Sequence, residues 1–443
     1  MRQFRRTAVV AAVFVACTTA APSAFASAEG HRERTERISV ATDGTEANGE
    51  SGQGALSGDG RFLIFGSQAD NLIPGDTRKG GSFLKELRTG KVERVNTAPD
   101  GTPADGSSGD AAVSGNGRYV VFTSDATNLV PGGNPTGSTE VYVRDRWTRH
   151  TELLIGHRPQ EQVADGEPSI SANGRFVAFL STRSDLVPGD TNDAQDVFVK
   201  DMWRGTVTRV SVASDGTQAD AYSISPVISA DGSRVGFKSR ASNLVPRTDT
   251  DGDALARPRA QVFYAHDMRT GRTQLAAHTR AGSQVAVITD IGLSPDGRYA
   301  LFMSLNSDIV AGDTNGTTDA FATDLHTGVA RRLSVAADGT EANDLSYGHI
   351  AMSADNRKAF FTSAASNLVP GDTNGSEDLF VRDLRTGRVE RVNVASDGAQ
   401  ANAFTLSFSV DLAGRTAVFD STADNLVPKD TNGVSDVFLR RLR

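Results

Sequence analysis

Ser171-Ala-Asn-Gly-Arg-Phe-Val-Ala-Phe-Leu-Ser181, followed by Pro188-Gly-Asp-Thr-Asn192 and then by Asp196-Val-Phe-Val-Lys-Asp201, is one copy of a sentence that the chain writes seven times. The copies are anchored at Ser57, Ser114, Ser171, Ser229, Ser294, Ser353 and Asp411, at spacings of 57, 57, 58, 65, 59 and 58 residues. A unit of this length cannot bury its own apolar face, so identical units stack and cover one another. Inside the copy, Pro168 to Ser171 reads as a first strand and Arg175 to Ser181 as a second, joined by Asn173-Gly174, a pair that tolerates positive φ at both positions. A long loop through Asp190-Thr191-Asn192 leads to a third strand at Asp196 to Asp201 and a fourth at Val207 to Val212. Short apolar alternations separated by Gly-containing turns recur throughout, with no sustained helical period. Four antiparallel strands per repeat make a propeller blade, and the expected fold is an all-β, seven-bladed β-propeller.

Two aromatic positions recur in phase. They are Phe65, Phe122, Phe179, Phe237, Phe302, Phe361 and Phe419 on the second strand, and Phe83, Tyr142, Phe198, Tyr264, Phe321, Phe380 and Phe438 on the third. Recurrence in every copy marks them as packing between blades. After Phe438 only Leu439 to Arg443 remain, so the seventh copy lacks a fourth strand, while Glu36-Arg37-Ile38-Ser39-Val40 resembles the fourth strand Arg209-Val210-Ser211-Val212. The N-terminal segment is therefore expected to complete the last blade and remove the open sheet edges.

Met1 to Ala26 reads as a secretory signal peptide, with Arg2, Arg5 and Arg6 before an apolar run from Ala8 to Ala16 and a small-residue site at Ala24-Phe25-Ala26. Residues 27 to 34 then form a linker, and 35 to 443 form one repeat-built domain. Arg5-Arg6 also fits a twin-arginine signal loosely. The single cysteine, Cys17, is either removed with the leader or carries a lipid anchor, and Phe14 is a poor match to a lipidation box. No later run approaches the ~20 apolar residues of a transmembrane helix, so a soluble, secreted, monomeric domain is expected. Losing the three leader arginines takes the net charge from -8 to -11, which disfavours nucleic acid and anionic membranes as partners. A cation or a cationic partner fits better.

The run Ser171-Ala-Asn-Gly-Arg175 with Asp196-Val-Phe-Val-Lys-Asp201 resembles the WD40-like, or PD40, repeats of the TolB-like β-propeller family, over essentially the whole chain after the leader. The resemblance implies the fold and leaves function open, because the family includes periplasmic interaction proteins, peptidase propellers and lyases. The family's namesake has six blades and an extra N-terminal domain, whereas seven copies and no such domain are read here.

In a meander of four antiparallel strands, the first-to-second and third-to-fourth turns share one face of the ring. The second-to-third loops and the connections between blades share the other, and these are the long acidic segments. Their best-defined motif is Asp-Thr-Asn-x-x-x-Asp: Asp190, Asn192 and Asp196; Asp313, Asn315 and Asp319; Asp372, Asn374 and Asp378; Asp430, Asn432 and Asp436. Alternating oxygen ligands suit calcium, although Ca²⁺ takes 6 to 8 oxygens and no closing Glu is present. The other reading is Asx-turns that shape the loop without a metal. The fourth copy offers Asp249, Asp251 and Asp253 instead, inside an insertion at Arg247 to Gln261.

Catalysis needs a site that breaks the sevenfold pattern. The histidines are His31, His150, His157, His266, His278, His326 and His349, without a dense ligand motif. His349 lies on a first strand near the central channel, where His278 is expected to approach it; the resembling lyases use channel-mouth histidines and a metal. No nucleophile elbow is present. The leading expectation is a secreted, non-catalytic binding propeller, calcium-stabilised and presenting its acidic loop face to a protein or polysaccharide. The alternatives are an extracellular carbohydrate-active hydrolase or lyase, and a lipid-anchored cell-envelope protein.

Overall fold

Turn chemistry at each Asp-Gly or Asn-Gly pair and the period-two alternation of Val, Ile and Phe set the chain into hairpins, and the hairpins into sheets. A computed structural model describes residues 34–76, 78–156, 165–246 and 261–442; the leader, Cys17, His31, His157 and Asp249 to Asp253 lie outside the described residues. Among the described residues all regular structure is β, in seven antiparallel sheets. Blade one runs Ser51–Leu56, Phe62–Ser67, Gly81–Glu86 and Val92–Arg94 in order, with the first strand at the channel and the fourth at the rim.

Blade seven is made from both ends of the chain. Its strands Thr405–Val410, Thr416–Ser421 and Asp436–Arg441 are completed by Thr35–Arg37, which pairs antiparallel with the register Thr35↔Arg440, Glu36↔Leu439 and Arg37↔Phe438. The expected segment, residues 36 to 40, overlaps this strand but runs further. Ile38 still donates from its amide to Val437 at 2.7 Å, and the chain then turns away, with Val40 bridging Glu46. The seat is filled to the residue: the third-strand aromatic faces Arg94, Arg209, Arg332 or Arg391 in other blades and Arg37 here.

The recurring aromatics meet across the second and third strands of each blade, with ring centroids 5.6 to 6.0 Å apart. Each pair packs on the preceding blade, as Phe122 and Tyr142 do on Ile64 and Leu84. Truncating such a buried ring to Ala typically costs about 3–5 kcal/mol.

At the end of the channel where the first-to-second turns lie, those turns are tied to one another in a circle. The backbone links are Asp59 to Gly115, Gly115 to Ala172, Ala172 to Ala230, Asp231 to Pro295, Ala354 to Leu412 and Leu412 to Gly58, at 2.7 to 3.3 Å. Pro295 has no N–H to continue the circle. Between blades five and six, Asn356 Nδ2 instead donates to Asp296 at 2.7 Å. The turns approach so closely that a Cβ on Gly115 would lie 2.8 Å from that of Ala172.

Blade four gains a fifth strand, and blade five keeps four with its first much shortened. The segment Ala286–Val287 pairs back onto Gln261–Asp267 of blade four, and the first strand of blade five shrinks to Gly292–Leu293, leaving Asp290 on an unpaired stretch. Blade three carries a different exception. Where Ser51, Ser108 and Ser223 open the first strand and bond a serine of the second, blade three has Asp165, 3% exposed and facing Ser181. Burial pushes its carboxyl up to about 6. The ionised form is thus penalised in the fold, and the penalty grows as pH rises from the unfolded value near 3.8 towards 6. Asp165→Ser is expected to stabilise the domain by about 1–3 kcal/mol at pH 7.5, with the gain shrinking towards pH 4.5, as urea unfolding at the two pH values will show.

Candidate functional site

The Asp-Thr-Asn-x-x-x-Asp loops come to the face opposite the tied turns, and in each of the four copies their two aspartates converge. What lies between them is a guanidinium from the fourth strand. Arg209 Nη1 is 3.3 and 3.6 Å from Asp190 and Asp196, and Arg332 Nη1 is 3.2 Å from both Asp313 and Asp319. Arg391 is 3.5 and 3.3 Å from Asp372 and Asp378, and Arg37 Nη1 is 3.1 and 3.2 Å from Asp430 and Asp436. The Asn caps its own loop and reaches across to the connection between blades: Asn192, Asn315, Asn374 and Asn432 donate to the carbonyls of Ala219, Ala342, Ala401 and Ala47. The last Asp accepts from Ser211, Ser334, Asn393 or Ser39 on the fourth strand. The Thr is held by a connector residue, as Thr431 is by Glu46 and Thr191 by Gln218.

All twelve residues therefore belong to a lock joining loop, fourth strand and connector. The other three blades depart from the lock in different ways: blade two keeps an acid, Glu140, at the last position but has Leu153 in place of the arginine. Blade four replaces the last Asp with Val262 and the Arg with Leu275, an apolar exchange. In blade one, Gly81 stands in the last position, and Arg94 ties Asp76 at 2.7 Å and the carbonyls of Arg78 and Gly80. The oxygens of Glu46, Asp430 and Asp436 lie within 4.8 Å of one another, close enough to share an ion, yet Arg37 bonds or ion-pairs with all three. With the guanidinium in place this donor set does not fit calcium, because a hard cation needs the same oxygens and the same space. Burial raises Asp313 and Asp319, Asp430 is pushed up to about 6 chiefly by burial, and hydrogen bonds from Thr314 hold Glu341 down at about 2.

With the loop carboxylates so engaged, the free acidity lies in the channel. A cavity of about 990 Å³ opens on the loop face and is rimmed by Gln68, Gly81 and Ser435. At one level, the fourth residue before each anchor points inward: Gln53, Asp110, Glu167, Ser225, Asp290, His349 and Ser407. Every blade contributes a polar side chain at this level. The first strands of blades one to four bulge here, and Gln53, Asp110, Glu167 and Ser225 take φ values of 55°, 39°, 48° and 54°. Left-handed backbone at non-glycine residues is a cost that proteins concentrate at working sites.

Among the described residues the lining carries the carboxylates Glu50, Asp110, Glu167, Asp290 and Asp420, with His349 and no lysine or arginine. His349 Nδ1 is 3.1 Å from Asp290 Oδ2, and its ring meets the face of Phe408 edge-on at 6.1 Å. Glu167 accepts from the Ser225 amide at 2.6 Å. Asp420 is 3% exposed; its Oδ2 accepts from the Gln53 amide at 3.0 Å and from Ser407 at 2.6 Å, while its buried Oδ1 has no partner. Burial raises its pKa. A low-dielectric funnel lined by one sign of charge focuses its field on a ligand of the other sign.

Of the expected channel pair, only His349 is present. His278 bonds the Thr279 carbonyl at 2.9 Å and lies by Gly328 near the rim, since it sits in the outer connector, where the other blades place Val40, Val212 or Val335. The rest of the ring was missed because each member is a single polar residue in a strand, visible only by comparing position minus four across all copies.

No family model matches the chain, and no curated protein matches it in sequence. Solved structures do. An oligogalacturonate lyase from Vibrio parahaemolyticus superposes with a TM-score of 0.54 at 12% identity, covering 92% of this chain and 93% of that one. An oligogalacturonate lyase in complex with manganese gives 0.53 at 14%, with the same coverage. The β-propeller domain of the Trilobed protease from Pyrococcus furiosus, described as having an open velcro topology, gives 0.52 at 10%, covering 88% and 95%. TolB from Acinetobacter baumannii reaches only 0.38 at 13%, covering 90% and 80%, which carries no argument. These likenesses show the β-propeller fold alone.

Arg332→Ala leaves Asp313, Asp319 and Glu341 facing one another without a counter-charge and is expected to cost about 3–5 kcal/mol in urea unfolding. The Tm of the wild-type domain is expected to be the same in Ca²⁺ as in EDTA, and that of Arg332→Ala to rise with Ca²⁺, which can enter the vacated position.

Proposed function

We propose that this chain is a non-catalytic binding propeller whose acid-lined channel mouth receives a cationic group, most simply a lysine or arginine side chain presented by a protein partner. The observation that carries this reading is the ring at position minus four, where Asp110, Glu167 and Asp290 share one level with His349 as its single basic member, while Lys238 Nζ is held by the Thr289 carbonyl beside it at 3.4 Å. Asp420 adds a buried carboxylate with an unpartnered oxygen. An ammonium or guanidinium supplies the donors these oxygens lack, and charge-assisted hydrogen bonds of this kind are the strong ones. In the same reading, the guanidinium locks take the structural place of calcium, and the exported, secreted location expected from Met1 to Ala26 gives the channel an extracellular partner. The repeat pattern of Ser171 to Asp201 supports a PD40-type assignment within this reading.

A second reading is carbohydrate lysis at the His349–Asp290 pair, favoured by the fold shared with the oligogalacturonate lyases. Galacturonate chains are polyanions, and a channel whose described lining has five carboxylates and no lysine or arginine opposes their entry. Calorimetric titration of the described domain with hexa-arginine and hexa-lysine tests the first reading. Binding is expected to weaken as salt rises and to fall at least about tenfold in the triple variant Asp110→Asn, Glu167→Gln, Asp290→Asn. Binding unchanged in that variant sinks the proposal, as does cleavage of polygalacturonate that His349→Ala abolishes.

A further inference from the structure

The chain has two tryptophans, and both stand at the same place in neighbouring blades. Trp147 and Trp203 occupy the third-to-fourth turns of blades two and three, on the tied-turn face and away from the channel mouth, where other blades carry Arg88, Arg269, His326 or Arg385. They are 67% and 65% exposed. An exposed indole ordinarily rotates and covers itself; these two are held. Arg118 stacks between Trp147, at 4.6 Å, and Tyr119, at 4.7 Å, and its guanidinium is gripped by Asp145 at 2.7 Å. Blade three repeats the arrangement, with Arg175 between Trp203 at 5.1 Å and Phe176 at 4.6 Å and gripped by Asp201 at 2.7 Å. The same carboxylates also accept from the Trp147 and Trp203 amides at 3.0 Å, fixing the turns. Arg118 and Arg175 are thus positioning residues that brace one face of each indole and leave the other open.

From this geometry we infer that Trp147 and Trp203 form a platform for the pyranose rings of a neutral polysaccharide, one ring per blade. It is a second site, on the face opposite the channel and independent of the channel reading. The surroundings decide between a sugar and a protein. Among the described residues, the other large apolar side chains that are exposed, Ile288, Leu305, Val329, Leu345, Phe404 and Leu406, belong to blades five to seven. Each indole is an isolated apolar plate amid arginine, aspartate and threonine. A protein hot spot lies in a well-packed pocket whose surrounding contacts exclude water, whereas these indoles stand about two-thirds exposed on turns. A pyranose wants one flat aromatic face for its axial C–H bonds and polar groups for its hydroxyls, and the exposed Arg204 beside Trp203 supplies one.

Since these are the chain's two tryptophans, intrinsic fluorescence reads the site directly. Titration with cellohexaose and chitohexaose, alongside pull-down on cellulose and chitin, is expected to quench and shift the emission and to retain the domain on at least one solid. Trp147→Ala and Trp203→Ala should each weaken binding about tenfold, and the double variant should abolish retention. Trp→Phe at either position should keep part of the affinity. The Tm of the double variant should be unchanged, and so should hexa-arginine binding at the channel. Emission unmoved by either oligosaccharide together with no retention on either solid overturns the platform, as does retention that survives the double variant.

Discussion

Ring closure through Thr35–Arg37 is the constraint on which everything else rests. A blade sheet with three strands would end in unpaired backbone groups, and a ring with one such gap would open at its weakest interface. Closure needs more than hydrogen bonds. Arg37 enters the seat that Arg209, Arg332 and Arg391 hold elsewhere and joins the Asp430–Asp436 pair to Glu46 on the connector. One residue near the start of the domain therefore completes the last sheet, neutralises its loop and anchors the passage into blade one. The open velcro described for the Pyrococcus furiosus propeller differs at this very seam.

Seven copies place the same chemistry at seven places, and most of it serves the ring. The turn-to-turn circle draws the first strands together at one end, while the guanidinium locks tie each loop to its fourth strand and connector on the other face. The channel opens on the loop face. Its lining includes a level where neighbouring copies differ in kind: Gln53, Asp110, Glu167, Ser225, Asp290, His349 and Ser407. Symmetry supplies the scaffold, and the departures from it supply the site. The tryptophan pair follows the same logic at the rim, since two adjacent copies share a residue the rest do not.

The structural likeness to lyases concerns backbone alone, at 12% and 14% identity. A propeller brings first strands to a common channel whatever those strands carry, and the side chains decide whether a polyanion or a cation is welcome there. In this chain the carboxylates dominate.

Fold class, blade number, the inward aromatics and the closing segment were legible in the sequence because each is periodic: the repeat samples one physical requirement seven times, and noise averages out. The acidic loop motifs were equally legible as motifs, but their role was not, because the arginine that answers each aspartate pair lies 13 to 19 residues downstream in three copies and at the opposite end of the chain in the fourth. The channel ring eluded a linear reading for the opposite reason: seven single polar residues, about sixty positions apart, carry no local signal. Composition and period alone determined that this chain makes a ring of sheets. Tertiary structure alone decided which charges meet, setting a guanidinium between the loop acids and none beside the channel acids, because burial and distance set electrostatic partners and neither is written along one strand.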